Sequence, residues 1–159
     1  MTIADNIRSI RERMARAALA AGRKPEEVIL VGASKMNGAA ACREAIAAGI
    51  DALGENRVQE MRGKLEEGAY EGAPLHFIGH LQRNKVRQVV GAASLIHSVS
   101  SLELLEEIDR QAEKRGLVQD ILLEVNVGGE ESKSGFAPGE VRRAAERART
   151  RRHVRPLGL

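Results

Sequence analysis

Apolar residues near the start of the chain recur with a helical period. Ile3, Ile7, Ile10, Met14, Ala17 and Ala21 are spaced by three and four and make one stripe, which predicts a helix over 3–22 with Gly22 as its stop. After a turn at Lys24-Pro25 the pattern changes to an apolar run, V-I-L-V-G-A-S-K at 28–35, read as a strand that stops at an amine. A helix follows from a cap at Asn37 to about Ala48, with Gly49 at its end. The remaining pattern predicts a short strand at 52–54, a helix at 59–67, a turn at Gly72-Ala73-Pro74 and a strand at 76–81. Beyond these come a short helix at 84–90 and a strand at 95–99. Ser100 to Glu103 reads as a capping box opening a helix that ends near Gly116. A strand at 120–127, an arginine-rich helix at 138–150 and a strand over 155–159 complete the chain.

Strands separated by helices predict a parallel sheet with helices on its outside. Two architectures satisfy that alternation, an open doubly wound sheet and a (β/α)8 TIM-type barrel. The first strand–helix turn, Ser34-Lys35-Met36-Asn37-Gly38, has no G-x-G-x-x-G, which disfavours a dinucleotide-binding sheet. A barrel needs eight strands, typically in more than about 200 residues. About six of eight are visible here, so the expectation is one domain over 1–159, a barrel whose C-terminal part lies beyond the sequence.

Composition narrows the chemistry. Apolar residues make up 43% of the chain, but with two Phe, one Tyr and no Trp the core must be built from aliphatic side chains. Few aromatic platforms are left for stacking bases. Seven Arg and one Glu fall between 142 and 155, so the basic character is local to that segment. No aromatic residue interleaves it; a solvated helix face is the plain reading, and a nucleic-acid or acidic-partner surface is the alternative. Cys42 is the only cysteine, which excludes an internal disulfide and a multi-thiolate metal site. Charges at Asp5, Arg8, Arg11, Glu12 and Arg13 break any signal-peptide core, and no apolar run approaches a membrane span, so the chain is expected to be cytoplasmic.

Parallel α/β proteins place their sites at the C-terminal ends of strands. Those ends carry Lys35, Gly54-Glu55-Asn56, the stretch Gly79 to Asn84, His97-Ser98 and Asn126. Pleat alternation puts Ile29, Val31, Ala33 and Lys35 on one face. That predicts a desolvated amine, nucleophilic toward an aldehyde, against the plain reading of a lysine reaching water. Glu124 and Asn126 share a face of an otherwise apolar strand. A carboxylate there is costly to bury unless paired, so an interior salt bridge and a ligand-facing pair are both open. His76 and His80 would lie roughly 13 Å apart at about 3.3 Å per strand residue, too far for one metal ion. With no H-E-x-x-H, no metal site is expected. Ser132-Lys133-Ser134-Gly135 is either a loop suited to an anionic ligand or simply flexible.

Five of these stretches together resemble the pyridoxal phosphate homeostasis protein family. They are V-G-A-S-K at 31–35, G-E-N-R-V-Q-E at 54–60, H-F-I-G-H-L-Q-R-N-K at 76–85, V-N-V at 125–127 and S-K-S-G at 132–135. Their order and spacing match, and the resemblance covers nearly the whole chain. It implies an alanine-racemase-like barrel that binds pyridoxal 5′-phosphate, with Lys35 forming a Schiff base to it. It also implies that Asn56 lies beside the cofactor and that the segment around Ile78-Gly79 and the loop residue Lys133 border the same pocket. Glu124 and Asn126 join this cofactor-binding set from the strand pattern.

The resemblance implies a protein that binds, buffers and delivers the cofactor within the cell, with PLP-dependent apoenzymes as its expected partners and no substrate turnover, so no catalytic residue is expected. A racemase would need a second, β-rich domain supplying a catalytic tyrosine, and the one tyrosine, Tyr70, falls in a predicted loop. A racemase or decarboxylase on the same fold is the alternative. The family usually follows its lysine with a threonine, where this chain has Met36-Asn37. The phosphate-gripping loops are expected after Leu159.

Overall fold

A computed structural model describes residues 2–159. Helices α1 (Ile3–Ala20), α2 (Ala39–Ala47), α3 (Val58–Glu66), α4 (Val86–Val89), α5 (Leu102–Lys114) and α6 (Val141–Arg149) alternate with strands. These are β1 (Val31–Ala33), β2 (Ala52–Glu55), β3 (Leu75–Phe77), β4 (Leu95–Val99), β5 (Gln119–Leu123) and β6 (Val154–Gly158). Two compact units result, one of Met1–Gly54 with Gln59–Pro74, the other of Glu55–Val58 with Leu75–Leu159.

In the first unit α1 opens on a reciprocal cap. The Thr2 hydroxyl accepts the Asp5 N–H and the Asp5 carboxylate accepts the Thr2 N–H, both at 3.1 Å. The helix packs on α2 and buries Ile7 and Ala18; of the expected apolar stripe Ile3 and Met14 are half-buried, while Ile10, Ala17 and Ala21 are exposed. Arg11 then reaches Asp51 at 2.8 Å, and the same carboxylate accepts the Leu30 N–H at 2.7 Å, tying the helix to the residues leading into β1 and β2. Strands β1 and β2 run parallel in the register Val31↔Ala52, Gly32↔Leu53, Ala33↔Gly54.

In the second unit β3, β4, β5 and β6 are parallel neighbours in chain order. Phe77, Ile96, Ile121 and Leu123 on the strands and Val86, Val89, Leu105 and Ile108 on the helices are fully or almost fully buried. The alternation along β5 is clear: Gln119, Ile121 and Leu123 are buried, Asp120 and Leu122 only partly. Gln119 is a buried polar staple. Its Oε1 accepts the Gly91 N–H at 2.9 Å and its Nε2 donates to the Ala93 carbonyl at 3.0 Å.

Six strands, each followed by a helical stretch as far as the chain runs, agree with the expected alternation, but several strands are shorter. The apolar run 28–35 is a strand only over Val31–Ala33. Val28 closes the 3-10 turn Pro25–Glu27, and Ile29 is exposed. The strand expected at 120–127 ends at Leu123; beyond it Val125 bridges to Phe136 in a returning loop. The strand expected at 76–81 ends at Phe77. Helix α2 is capped by Gly38, because the turn before it uses Asn37. Helix 84–90 divides into a 3-10 turn, Arg83–Lys85, and the short α4. Helix 138–150 likewise opens as a 3-10 turn, Pro138–Glu140. At α5 the cap is Ser101, whose hydroxyl accepts the Leu104 N–H at 3.2 Å. Tyr70 is buried rather than on an open loop.

Four of the seven arginines of the 142–155 segment are ion-paired, with three acids between them. Arg142 pairs with Glu146, Arg147 and Arg151 both reach Glu106, and Arg155 pairs with Asp120. No helix among the described residues is long and apolar enough to cross a membrane.

Candidate functional site

In the first unit β1 runs into a tight turn, Ser34–Asn37. The Asn37 N–H donates to the Ser34 carbonyl at 3.1 Å, and the Asn37 side-chain amide donates to the Lys35 carbonyl, also at 3.1 Å. Lys35 is the second residue of this turn and is exposed; no hydrogen bond or ion pair among the described residues engages its Nζ. The desolvated amine expected from pleat alternation is therefore not what forms. Because β1 ends at Ala33, the strand no longer carries Lys35 along its apolar face.

In the second unit Asn56 follows the end of β2, and its Oδ1 is buried without a hydrogen-bond partner. The Ile78 N–H donates to the Glu55 carbonyl at 2.9 Å. At Gly79 the backbones come so close that a Cβ would stand 2.1 Å from the Asn56 carbonyl oxygen. Asn56 and the Ile78-Gly79 pair thus form one packed corner, which only glycine at 79 permits.

Glu124 and Asn126 stand just past β5, where the loop folds back on them. The Ser134 hydroxyl donates to Glu124 Oε1 at 2.9 Å, while Oε2 is buried and unpartnered. Asn126 Nδ2 donates to the carbonyls of Glu130 at 2.9 Å and Lys133 at 3.4 Å. The backbone is stitched as well: Phe136 N–H to Glu124 O at 2.8 Å, and Asn126 N–H to Phe136 O at 2.9 Å. Gly135, at φ +116°, makes the return possible. The salt bridge considered for Glu124 does not form; a hydroxyl holds one oxygen and the other is left over. Glu124, Asn126 and the backbone of Lys133 are brought together, and the Lys133 side chain is exposed.

His76 does not pair with His80, which is exposed. Its Nδ1 lies 3.0 Å from His97 Nε2, joining β3 to β4. Burial pushes both imidazoles below their usual range, and the neighbouring His97 adds to the effect on His76. No group of three or more metal-ligating side chains occurs among the described residues. Sequence reasoning missed this pair, since cross-strand register is not visible in a single strand's spacing. It also missed Ser134 as the Glu124 partner, and Lys64. The signal for Lys64 was present: Val58, Met61 and Lys64 keep the inward spacing of α3, and Lys64 is 8% exposed whereas Leu65 is 37% exposed.

The chemistry on offer is a free amine at the end of the first strand, and buried oxygens of Asn56 and Glu124 still able to accept hydrogen bonds. Polar groups at successive strand ends of a parallel α/β chain are the arrangement of the (β/α)8 barrel class. Residues 2–159 match the family described as alanine racemase, N-terminal domain. The chain is 40% identical over 159 residues to the pyridoxal phosphate homeostasis protein of Aquifex aeolicus, covering 100% of this chain and 70% of that protein. It is 41% identical over 158 residues to the protein of that name from Pseudomonas aeruginosa, covering 99% and 69%.

Among solved structures, PipY of Synechococcus elongatus with PLP bound superposes with a TM-score of 0.80 at 34% identity, over 99% of this chain and 73% of that one. An alanine racemase from Streptomyces coelicolor, at 22% identity and a TM-score of 0.72 over 97% of this chain and 39% of that one, shares the fold. The chain belongs to the pyridoxal phosphate homeostasis protein family, on the alanine racemase N-terminal-domain fold. It carries six strands of that barrel.

Proposed function

We propose that the protein binds pyridoxal 5′-phosphate through Lys35 and holds it for cofactor homeostasis without turning over a substrate. The observation that carries this reading is Lys35 itself, an amine on a defined turn just past the first strand, engaged by no other side chain among the described residues. The names of the Aquifex and Pseudomonas relatives and the PLP-bound PipY structure support it.

The residues present fit such a ligand. The unpartnered oxygens of Asn56 and Glu124 are acceptors without donors, and an orphaned buried acceptor is costly unless something supplies a proton to it. The bound cofactor supplies an aldehyde carbon and a charged aromatic ring. Lys35 Nζ would hold the cofactor by condensing with that aldehyde, with loss of water. Asn56, Ile78, Glu124, Asn126 and Lys133 would complete the set that holds the cofactor, the Lys133 ammonium being suited to an anion. The carrier role is supported by the homeostasis-protein names of the Aquifex and Pseudomonas relatives. Delivery of the cofactor to PLP-dependent apoenzymes in the cytoplasm completes the reading.

Mixing the protein with pyridoxal phosphate is expected to give an absorbance band near the visible edge. Borohydride reduction should then place a pyridoxyl adduct on the Lys35 peptide, and Lys35→Ala should remove both signals. An unchanged band in Lys35→Ala refutes the assignment. Turnover of an L-amino acid that Lys35→Ala abolishes would replace the carrier with an enzyme.

A further inference from the structure

We infer that Glu60 and Lys64 of α3 are positioning residues for Lys35, gripping the peptide groups on either side of it; this role rests on Lys35 being the cofactor-binding amine. Lys64 is almost fully buried, and its Nζ donates to the Ser34 carbonyl at 2.7 Å. A buried ammonium is costly, and a methionine would pack the same space without that cost. Among the interactions that hold its ammonium is the one it makes with the peptide carbonyl immediately before Lys35. Ser34 is fixed from its other side too, its N–H and hydroxyl both reaching the Gly54 carbonyl, at 2.9 and 3.3 Å.

One helical turn earlier, on the same face of α3, Glu60 Oε2 accepts the N–H of Met36 at 3.4 Å. Met36 has φ +62°, in the left-handed region that disfavours residues with a Cβ, and its side chain is 92% exposed. Packing of the methionine does not hold it there. The strained turn is held by its own closure, Asn37 N–H to Ser34 O, and by the two α3 groups. With both flanking peptides fixed, the Cα–Cβ direction of Lys35 is fixed as well. Only side-chain torsions then remain to be ordered when the amine condenses with an aldehyde.

The test combines backbone exchange without cofactor and condensation with it. In the parent protein the amides of Met36 and Asn37 are expected to exchange about tenfold or more slowly than an unstructured chain. Lys64→Met and Glu60→Ala should each release that protection. Each should also slow pyridoxal phosphate condensation at Lys35 about tenfold, with reduced adducts shifting to other lysines. Lys64→Arg and Glu60→Gln, which keep a donor and an acceptor, should recover part of both readouts. Circular dichroism identifies the variants that remain folded, and if Lys64→Met does not fold, Glu60→Ala decides. Folded variants with parental exchange and parental condensation rates overturn the inference. A parent protein whose Lys35 takes no cofactor overturns the cofactor reading instead, and the exchange measurement then decides by itself whether α3 holds the turn.

Discussion

Replacing Gly79 by alanine should be among the most damaging single-methyl additions to this protein. The new Cβ would stand 2.1 Å from the Asn56 carbonyl oxygen, 2.5 Å from its Cα and 2.7 Å from its carbonyl carbon, all backbone atoms. Carbon contacts settle near about 3.5 Å, so the two segments must separate by more than about an ångström. The adjacent Ile78 N–H to Glu55 O bond, 2.9 Å long, spans the same gap and is strained or broken by the movement. Overpacking of this kind costs about 1–3 kcal/mol and the lost hydrogen bond about 1 kcal/mol, giving roughly 2–4 kcal/mol. For a domain of this size each kcal/mol moves the melting temperature by about 2–4 °C, so Tm should fall by roughly 5–15 °C. Gly63→Ala is the matched control with the opposite sign. Gly63 lies exposed within α3 with nothing within 4 Å of its Cβ position, so alanine should stabilise by about 1 kcal/mol through helix propensity. Thermal melts followed by circular dichroism read both. A Gly79→Ala protein melting within about 2 °C of the parent refutes the steric reasoning, since that shift corresponds to no more than about 1 kcal/mol. The variant should also weaken cofactor binding, because the segment it displaces carries Asn56.

Stability should fall as pH drops from neutral through the ordinary imidazole range, about 6.5. His76 and His97 have depressed pKa values in the fold, so the unfolded chain takes up protons before the folded one does. Chemical denaturation at pH 7.5 and 5.5 measures this, and His97→Gln should flatten the dependence; an equal slope in both proteins counts against the pairing. Gln119→Leu should cost roughly 1–3 kcal/mol, because it removes the buried donor to the Ala93 carbonyl and the acceptor of the Gly91 N–H, which is exposed enough to turn to water. Urea unfolding with an unchanged midpoint would show that neither backbone group depends on that side chain.

Most of the fold was legible because period and punctuation agree. The three-and-four spacing from Ile3, the glycines that close helices and the apolar runs between them place all six strands and six helices within a few residues of where they form. The ends of strands were not legible, for a physical reason. Apolarity continues past the point where pairing stops: Val125 and Val127 prolong the run after Leu123, but the backbone at Val125 pairs with Phe136 instead. A sequence read one strand at a time carries no information on such tertiary competition for backbone partners. The same limit hid the His76–His97 bond, which depends on the β3–β4 register, His76↔Leu95, that sets His97 beside it.

With Lys35 as the proposed cofactor-binding amine, its exposure changes how its selectivity must arise. An amine buried along an apolar strand would be distinguished from other lysines by desolvation, and the exposed Lys35 lacks that distinction. Lys24, Lys85 and Lys133 are also lysines outside the packed core. The backbones of Lys85 and Lys133 are held as well; particular to Lys35 are a closed turn with a left-handed residue after it and a neighbouring carbonyl gripped at 2.7 Å by a buried lysine. A Schiff-base linkage is reversible, so the favoured amine is the one already placed where the ligand's other groups can be held, since less freedom remains to be lost there. Placement suits a carrier as well. A lysine activated by burial would react with many carbonyl compounds, whereas a placed one depends on the rest of the ligand being recognised, which is the discrimination that a cofactor reservoir requires.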